Sequence, residues 1–376
     1  MTIRTVMSDF EHRIARRETR QVSVGNVMIG GEAPIAVQSM TNTPTTDVAA
    51  TSRLVRQLAR AGCDLVRIAV PDRESAAAFE VIRSESPIPL IADIHFDYRL
   101  AIAVAPHADK LRINPGNIGG KDRVREVILA CKDNGIPIRI GVNSGSLPRD
   151  LQEQHGLSPE SMVKAALRHI ELFDELGFHD LVLSIKATSV PLMVEACRQL
   201  ADAVNYPQHL GVTEAGPGIR GASRSAVGVG LLLAEGIGDT IRISLTGDKI
   251  QEVTVAYEIL GTLGIRRRGI RWISCPTCAR ADVDVEKIVL EAIEKTRDVH
   301  TPMTVAVMGC AVNGPGEDRE ADLGVACGKG SGLLFRHGEI LKKIPAYRIV
   351  DTLVAEILQY AKSERSAEFP KQPEIK

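Results

Sequence analysis

Aromatic residues are scarce: Phe, Trp and Tyr make up 3% of the 376 residues. That leaves few stacking platforms for single-stranded nucleic acid. A dominant sign of charge is missing as well. Lys and Arg number 46 against 47 Asp and Glu, a net charge of -1, which argues against a general nucleic-acid or anionic-membrane binder. No unbroken apolar run is long enough to span a bilayer. The N-terminal stretch MTIRTVMSDFEHRIARRETR has neither the apolar core of a signal peptide nor an acid-poor transit pattern, so the expected compartment is the cytoplasm. The 7 cysteines are an odd number without a secretion signal, which argues against a disulfide framework and leaves reduced thiols for metal or catalysis. What is present is ordinary globular composition, 44% hydrophobic and 25% charged, in a chain long enough for two cores.

The chain alternates short β-branched runs with amphipathic helical stretches. Eight candidate strands stand out: 33–40, 63–70, 89–96, 110–116, 137–144, 180–187, 209–216 and 239–246. Strand–helix alternation predicts parallel strands with right-handed crossovers. Spacing alone leaves an open doubly wound sheet in play. The count of eight, and the lack of a dinucleotide fingerprint after the first strand, favour a (β/α)8 TIM-type barrel. Residues 21–31, QVSVGNVMIGG, read as a hairpin able to plug its bottom. After about residue 262 the pattern changes to short strands ending in cysteines, a hairpin LGVACGKGSGLLFRHG and helices at 283–297 and 346–363. The expected organisation is an α/β chain with a barrel over 1–264 and a small α+β domain over 265–376.

Strands covered on both faces normally read as continuous apolar runs. Here their carboxyl halves carry charged and amide groups. Period-two spacing puts Asp93 with His95, Arg112 with Asn114, Ser184 with Lys186, Arg242 with Ser244, and Arg139 with Asn143 on one side of their strands. Arg67 lies in the second strand and Glu214 ends the seventh. One such group buried unpaired costs several kcal/mol, of order 2–7. Repetition over most strands points instead to a shared site at the carboxyl end, where barrel active sites sit. Five basic residues against Asp93 and Glu214 make the pocket cationic and suited to phosphate or diphosphate. Structural ion pairing is the competing reading for any one residue, and a lone histidine such as His95 is more often a structural donor. Glu214, in the Gly-rich stretch TEAGPG, is placed to act as a general acid or base.

Cys63, Cys131 and Cys197 read as buried structural thiols. Cys275 and Cys278 form a CxxC pair, with Cys310 in MGCAVNGPGE. Three readings fit: a redox pair, structural zinc with Cys327 as fourth thiolate, or a [4Fe–4S] cluster completed by Cys327 or an oxygen ligand such as Glu317.

Taken together, QSMTNTPTTD, VRIAVP, ADIHFD, LRINPGNIG, RIGVNSGS, LSIKAT, GVTEAGPG, RISLTGD, ISCPTCAR and VMGCAVNGPGE resemble the 4-hydroxy-3-methylbut-2-en-1-yl diphosphate synthases of the non-mevalonate isoprenoid pathway. The resemblance runs in order along nearly the whole chain and is most specific in the last two stretches. It implies an oxidoreductase that opens and dehydroxylates 2-C-methyl-D-erythritol 2,4-cyclodiphosphate with two electrons. It implies a [4Fe–4S] cluster held by Cys275, Cys278, Cys310 and Glu317, and flavodoxin or ferredoxin as electron donor. It further implies a homodimer in which one chain's cluster domain caps its partner's barrel. Arg67, Arg112, Asn114, Arg139, Asn143, Lys186, Arg242 and Ser244 match substrate-holding positions. Asp93, His95 and Glu214 match groups near the reacting carbons, with Glu214 as proton donor. The chain also resembles the shorter bacterial form, without the domain inserted in plant-type members.

Overall fold

A computed structural model describes residues 14–279, 281, 283–310 and 321–368. The chain divides into two compact units between Arg266 and Arg267. Arg266 belongs to the first by its own chemistry: its guanidinium donates to both carboxylate oxygens of Asp64, at 2.6 and 3.0 Å, and to the Ile35 carbonyl.

In the first unit, β1 (Val22–Val24) and β2 (Val27–Ile29) form an antiparallel hairpin. Eight parallel strands follow: β3 (Ala36–Met40), β4 (Leu65–Ala69), β5 (Leu90–Asp93), β6 (Lys110–Ile113), β7 (Ile138–Asn143), β8 (Leu181–Lys186), β9 (His209–Leu210) and β10 (Thr240–Ile241). Their order is β8-β7-β6-β5-β4-β3-β10-β9. The remaining seam, between β8 and β9, is bridged at Leu183 and Gln208. The expected barrel is therefore borne out as a nearly closed one. Helices between the strands begin with side-chain caps at Asp47, Asp72, Ser158 and Asp248, each satisfying an otherwise unpaired N–H. The last two strands are much shorter than their sequence runs. Beyond Leu210 the chain bends through Gly-rich TEAGPG, where Glu214 has φ of 54°, a left-handed conformation that a regular strand does not hold.

Alternation sorts the strand residues. Val66, Ile68, Leu111, Ile113, Ile138, Ile140 and Ile185 face the helices in the main core. Inside, the bottom layer is Ala36, Leu65, Ile91 and Val182, packed on Val22, Val24 and Ile29 of the hairpin. The plug expected from QVSVGNVMIGG is thus present, and polar groups occupy the layers above it.

The second unit is a five-stranded sheet: β11 (Ile270–Ser274), β12 (Met303–Met308), β13 (Leu323–Gly328), β14 (Ser331–Arg336) and β15 (Glu339–Pro345), in sequential order. β11 to β13 are parallel and β13 to β15 antiparallel. Residues of the helices Val285–Thr296 and Ile349–Glu368 share a core with Val305, Val307, Leu323 and Val325. β15 escaped the sequence reading because EILKKIP is exposed at all but one position and so lacks alternation. Among the described residues no helix is long and apolar enough to cross a membrane.

Candidate active site

Strand register brings the inward polar groups together at the carboxyl end of the barrel. Asp93 pairs with Arg112, Arg112 with Arg139, and Asn143 with Lys186. A cavity of about 430 Å³ opens there, lined by Arg67, Asp93, His95, Arg112, Asn143, Lys186, Glu214, Arg242 and Ser244, with Met40, Thr213 and Thr246. Nine residues singled out in the sequence thus meet in one place. Asn114 and Arg139 lie outside this lining. Asn114 is buried and caps the short helix Pro115–Ile118, accepting from the Gly116 amide at 3.2 Å. Arg139 is 1% exposed and donates to Gln38 Oε1 at 3.2 Å inside the barrel.

Asp93 organises one side. Arg112 donates to its Oδ1 at 3.1 Å, while Oδ2 faces His95 Nε2 at 3.1 Å and Arg67 Nε at 3.7 Å. Burial alone raises the Asp93 carboxyl; Arg67, the His95 hydrogen bond and Arg112 outweigh it and hold the group well below the usual carboxylate range. Asp93 is accordingly an ionised counter-charge with both oxygens engaged. Arg67 also donates to the Met40 thioether, at 2.9 and 3.1 Å.

Two supporting residues lay beyond the sequence reading. Glu252, 1% exposed on the helix Lys249–Thr262, accepts from Ser39 at 2.8 Å, Lys249 at 2.7 Å and the Leu245 amide, and lies 3.5 Å from Arg242. His209 stands 3.2 Å from Lys186 Nζ and 3.4 Å from Thr240 Oγ1. With Lys186 charged, Nε2 accepts from the ammonium and Nδ1–H faces the threonine hydroxyl. His209 was legible by parity, two residues before Gly211 and four before Thr213 on one strand face. Glu252 carried no such signal, because it reaches the barrel from a helix.

Glycine makes space for these cations. A Cβ on Gly141 meets Arg112 Nη2 at 2.9 Å, and one on Gly211 meets the Arg242 carbonyl oxygen at 2.5 Å and Lys186 Nζ at 3.0 Å. We expect Gly211→Ala to destabilise the protein by about 1–3 kcal/mol, the usual range for overpacking, and to weaken anion binding. Urea unfolding and titration with inorganic diphosphate check both.

In the second unit, Cys275 follows β11 and Cys310 lies two residues past β12, at the same end of neighbouring parallel strands. Cys275 Sγ accepts from the Gly309 amide at 3.1 Å. Cys275 and Cys310 are half-buried, Cys278 is exposed, and none of the cysteines is in a disulfide. Reduced thiols and an N–H···S bond at a strand end fit the donor chemistry of an iron–sulfur site. Among the described residues no three His, Cys, Asp or Glu side chains converge closely enough to hold a metal ion, and Glu317 lies outside the described residues. Cys327 is fully buried on β13, with its thiol pushed up to about 12 by burial and then by Cys275.

The family described as GcpE TIM-barrel domain matches residues 19–257, and the GcpE protein C-terminal domain matches residues 271–359. The chain belongs to the GcpE family. It is 53% identical over 346 residues to the 4-hydroxy-3-methylbut-2-en-1-yl diphosphate synthase (flavodoxin) of Thermodesulfovibrio yellowstonii, covering 92% of this chain and 99% of that one. It is 51% identical to the synthase of the same name from Clostridium perfringens, over 90% of this chain and 98% of that one. The family resemblance read from the motifs is thereby borne out. GcpE synthases are iron–sulfur enzymes, in keeping with the thiol chemistry of the second unit. Among solved structures, Xanthomonas albilineans dihydropteroate synthase with 4-aminobenzoic acid aligns with a TM-score of 0.48 at 13% identity, over 65% of this chain and 97% of that one.

Proposed function

We propose that this GcpE-family enzyme carries out the reductive ring opening of 2-C-methyl-D-erythritol 2,4-cyclodiphosphate to 4-hydroxy-3-methylbut-2-enyl diphosphate, with a [4Fe–4S] cluster and a flavodoxin or ferredoxin donor. The observation that carries the reading is the cavity itself. Arg67, Arg112, Lys186 and Arg242 line it against Asp93 and Glu214, an excess of positive charge that a diphosphate neutralises. When bound, the cluster supplies the electrons for C–O cleavage. Cys275, Cys278, Cys310 and Glu317 are its proposed ligands, and the two units take the roles of substrate barrel and cluster domain. The protein's own residues do the rest. The guanidinium groups and Lys186 hold the diphosphate, Asn143 and Ser244 orient the substrate, and Asn114 and Arg139 support that layer from within the barrel. Asp93 keeps Arg67, Arg112 and His95 in place. Glu214 delivers the proton to the departing oxygen. The enzyme works in the cytoplasm as a homodimer whose cluster domain serves the partner's barrel.

Charge coupling gives this reading a pH signature. Lys186 is held well below the usual lysine range, first by burial and then by Arg139, Arg67, Arg242 and Arg112; His209 faces it from β9. A bound diphosphate favours the charged lysine and raises its pKa again, so binding takes up a proton. Affinity therefore falls as pH rises between the free-state and bound-state values of Lys186. Calorimetry of inorganic diphosphate binding in buffers of different ionisation enthalpy shows proton uptake, and Lys186→Met removes it.

Iron, acid-labile sulfide and zinc content of protein purified without oxygen tests the cofactor. About four irons and four sulfides per chain, as one [4Fe–4S] cluster requires, support the reading. Stoichiometric zinc without sulfide, persisting after cluster reconstitution, overturns it in favour of a phosphate-binding barrel with a structural zinc domain.

A further inference from the structure

Between the active-site cavity and the apolar plug lies a polar layer with no part in the proposed reaction apart from Arg139. Lys110 opens β6 and Arg112 follows two residues later. Leu111 and Ile113 face the helices, so both cations face the barrel interior. The same parity turns Gln38 inward, beside Val37, and Arg139 inward, between Ile138 and Ile140. Gln38, Lys110 and Arg139 are 1%, 0% and 1% exposed. Among the described residues, Gln38 Nε2, Lys110 Nζ and Arg139 Nε are buried without a hydrogen-bond partner.

These three orphan groups are all donors. The side-chain acceptor of Gln38, Oε1, already receives Arg139. The buried carboxylates Asp93 and Glu252 are engaged too, Asp93 with Arg67, Arg112 and His95, and Glu252 with Ser39 and Lys249. The charges bearing on Lys110 are Arg139 and Arg67, both positive. A guanidinium does not give up its proton in proteins, so the layer keeps fixed positive charge whatever Lys110 does. Unpaired buried donors beside fixed charge are strongly unfavourable. A water in the layer brings two donors of its own, with only the second lone pair of Gln38 Oε1 to receive them beside a fixed guanidinium, whereas an anion only accepts.

We propose that the barrel interior holds a small monovalent anion, of the halide class, bound by Lys110 Nζ, Gln38 Nε2 and Arg139 Nε beneath the diphosphate cavity. The anion balances the inner cations and supports the residues above. The site stands apart from the proposed reaction; only the use of diphosphate to fill the upper cavity rests on that reading, and the position of the bromide peak distinguishes a failure of one from a failure of the other.

The experiment uses the holoenzyme with inorganic diphosphate saturating the upper cavity, so that added halide reports on the inner layer. Bromide, exchanged against gluconate at constant ionic strength, produces a saturable rise in melting temperature. Crystals grown in bromide show an anomalous peak within hydrogen-bonding distance of Lys110 Nζ. Lys110→Met loses both the rise and the peak, and Gln38→Leu moves the midpoint of the rise to higher bromide. The wild-type peak is decisive even if a variant fails to fold. A water or no density at that position, a peak confined to the upper cavity, or a rise unchanged in Lys110→Met overturns the proposal.

Discussion

Replacing Glu214 with glutamine lowers turnover of the cyclodiphosphate by about a hundred- to ten-thousandfold, the usual worth of a positioned general acid, and leaves inorganic diphosphate binding nearly unchanged. Two carboxylates line the cavity, and their surroundings separate their roles. Asp93 is 2% exposed with both oxygens committed to cations and His95, so it has no proton to give. Glu214 is exposed at the mouth and is held there with φ of 54°. A non-glycine residue in that conformation is strained, and strain of this kind collects at functional sites. Glutamine keeps the length and polarity of the side chain and removes only the acid. Single-turnover kinetics with pre-reduced enzyme, set beside diphosphate calorimetry, check the split. A large loss of binding with the chemical step intact makes Glu214 a positioning residue instead.

Asp93→Ala acts on folding as much as on chemistry. It leaves Arg67 and Arg112 buried without their carboxylate, and removing one partner of a buried charge pair costs about 3–5 kcal/mol. The Arg67 guanidinium is already pushed down to about 10, by burial first, with Asp93 opposing and Arg242 and Arg112 adding to the shift. Without Asp93 that balance tips further. Urea midpoints measure the loss. Saturating diphosphate recovers part of it, because the ligand supplies the missing negative charge. The sign with pH follows from the depressed Asp93 value. Its stabilisation is complete above the unfolded-state carboxylate pKa and is lost as pH falls through the native value. The variant therefore lacks that acid-side component. A loss below about 1 kcal/mol, typical of an exposed pair, contradicts the organising role given to Asp93.

The barrel was legible because its two periodicities differ. Period-two strands and helical stretches alternate eight times, and the charged residues that break the strands' apolar runs mark the mouth. Parity on each strand placed Asp93 with His95 and Arg242 with Ser244 correctly on the cavity wall. Parity says nothing about depth, so Arg139, inward like the others, stands in the layer with Gln38. Glu252 was invisible for a different reason. Its buried carboxylate meets Ser39 across a sequence separation of 213 residues, a contact that no local pattern encodes. β9 and β10 end early where the chain turns away at Glu214, with φ of 54°, and before that turn Gly211 already approaches the Arg242 carbonyl too closely for a side chain.

The most direct test of the account is turnover itself. Reconstituted protein under anaerobic conditions, given reduced flavodoxin or a chemical reductant and 2-C-methyl-D-erythritol 2,4-cyclodiphosphate, is followed by mass spectrometry of the diphosphate products. The expected result is formation of 4-hydroxy-3-methylbut-2-enyl diphosphate that depends on the reductant and is abolished in Cys310→Ser. A fully loaded enzyme that binds the cyclodiphosphate yet leaves it intact under these conditions contradicts it.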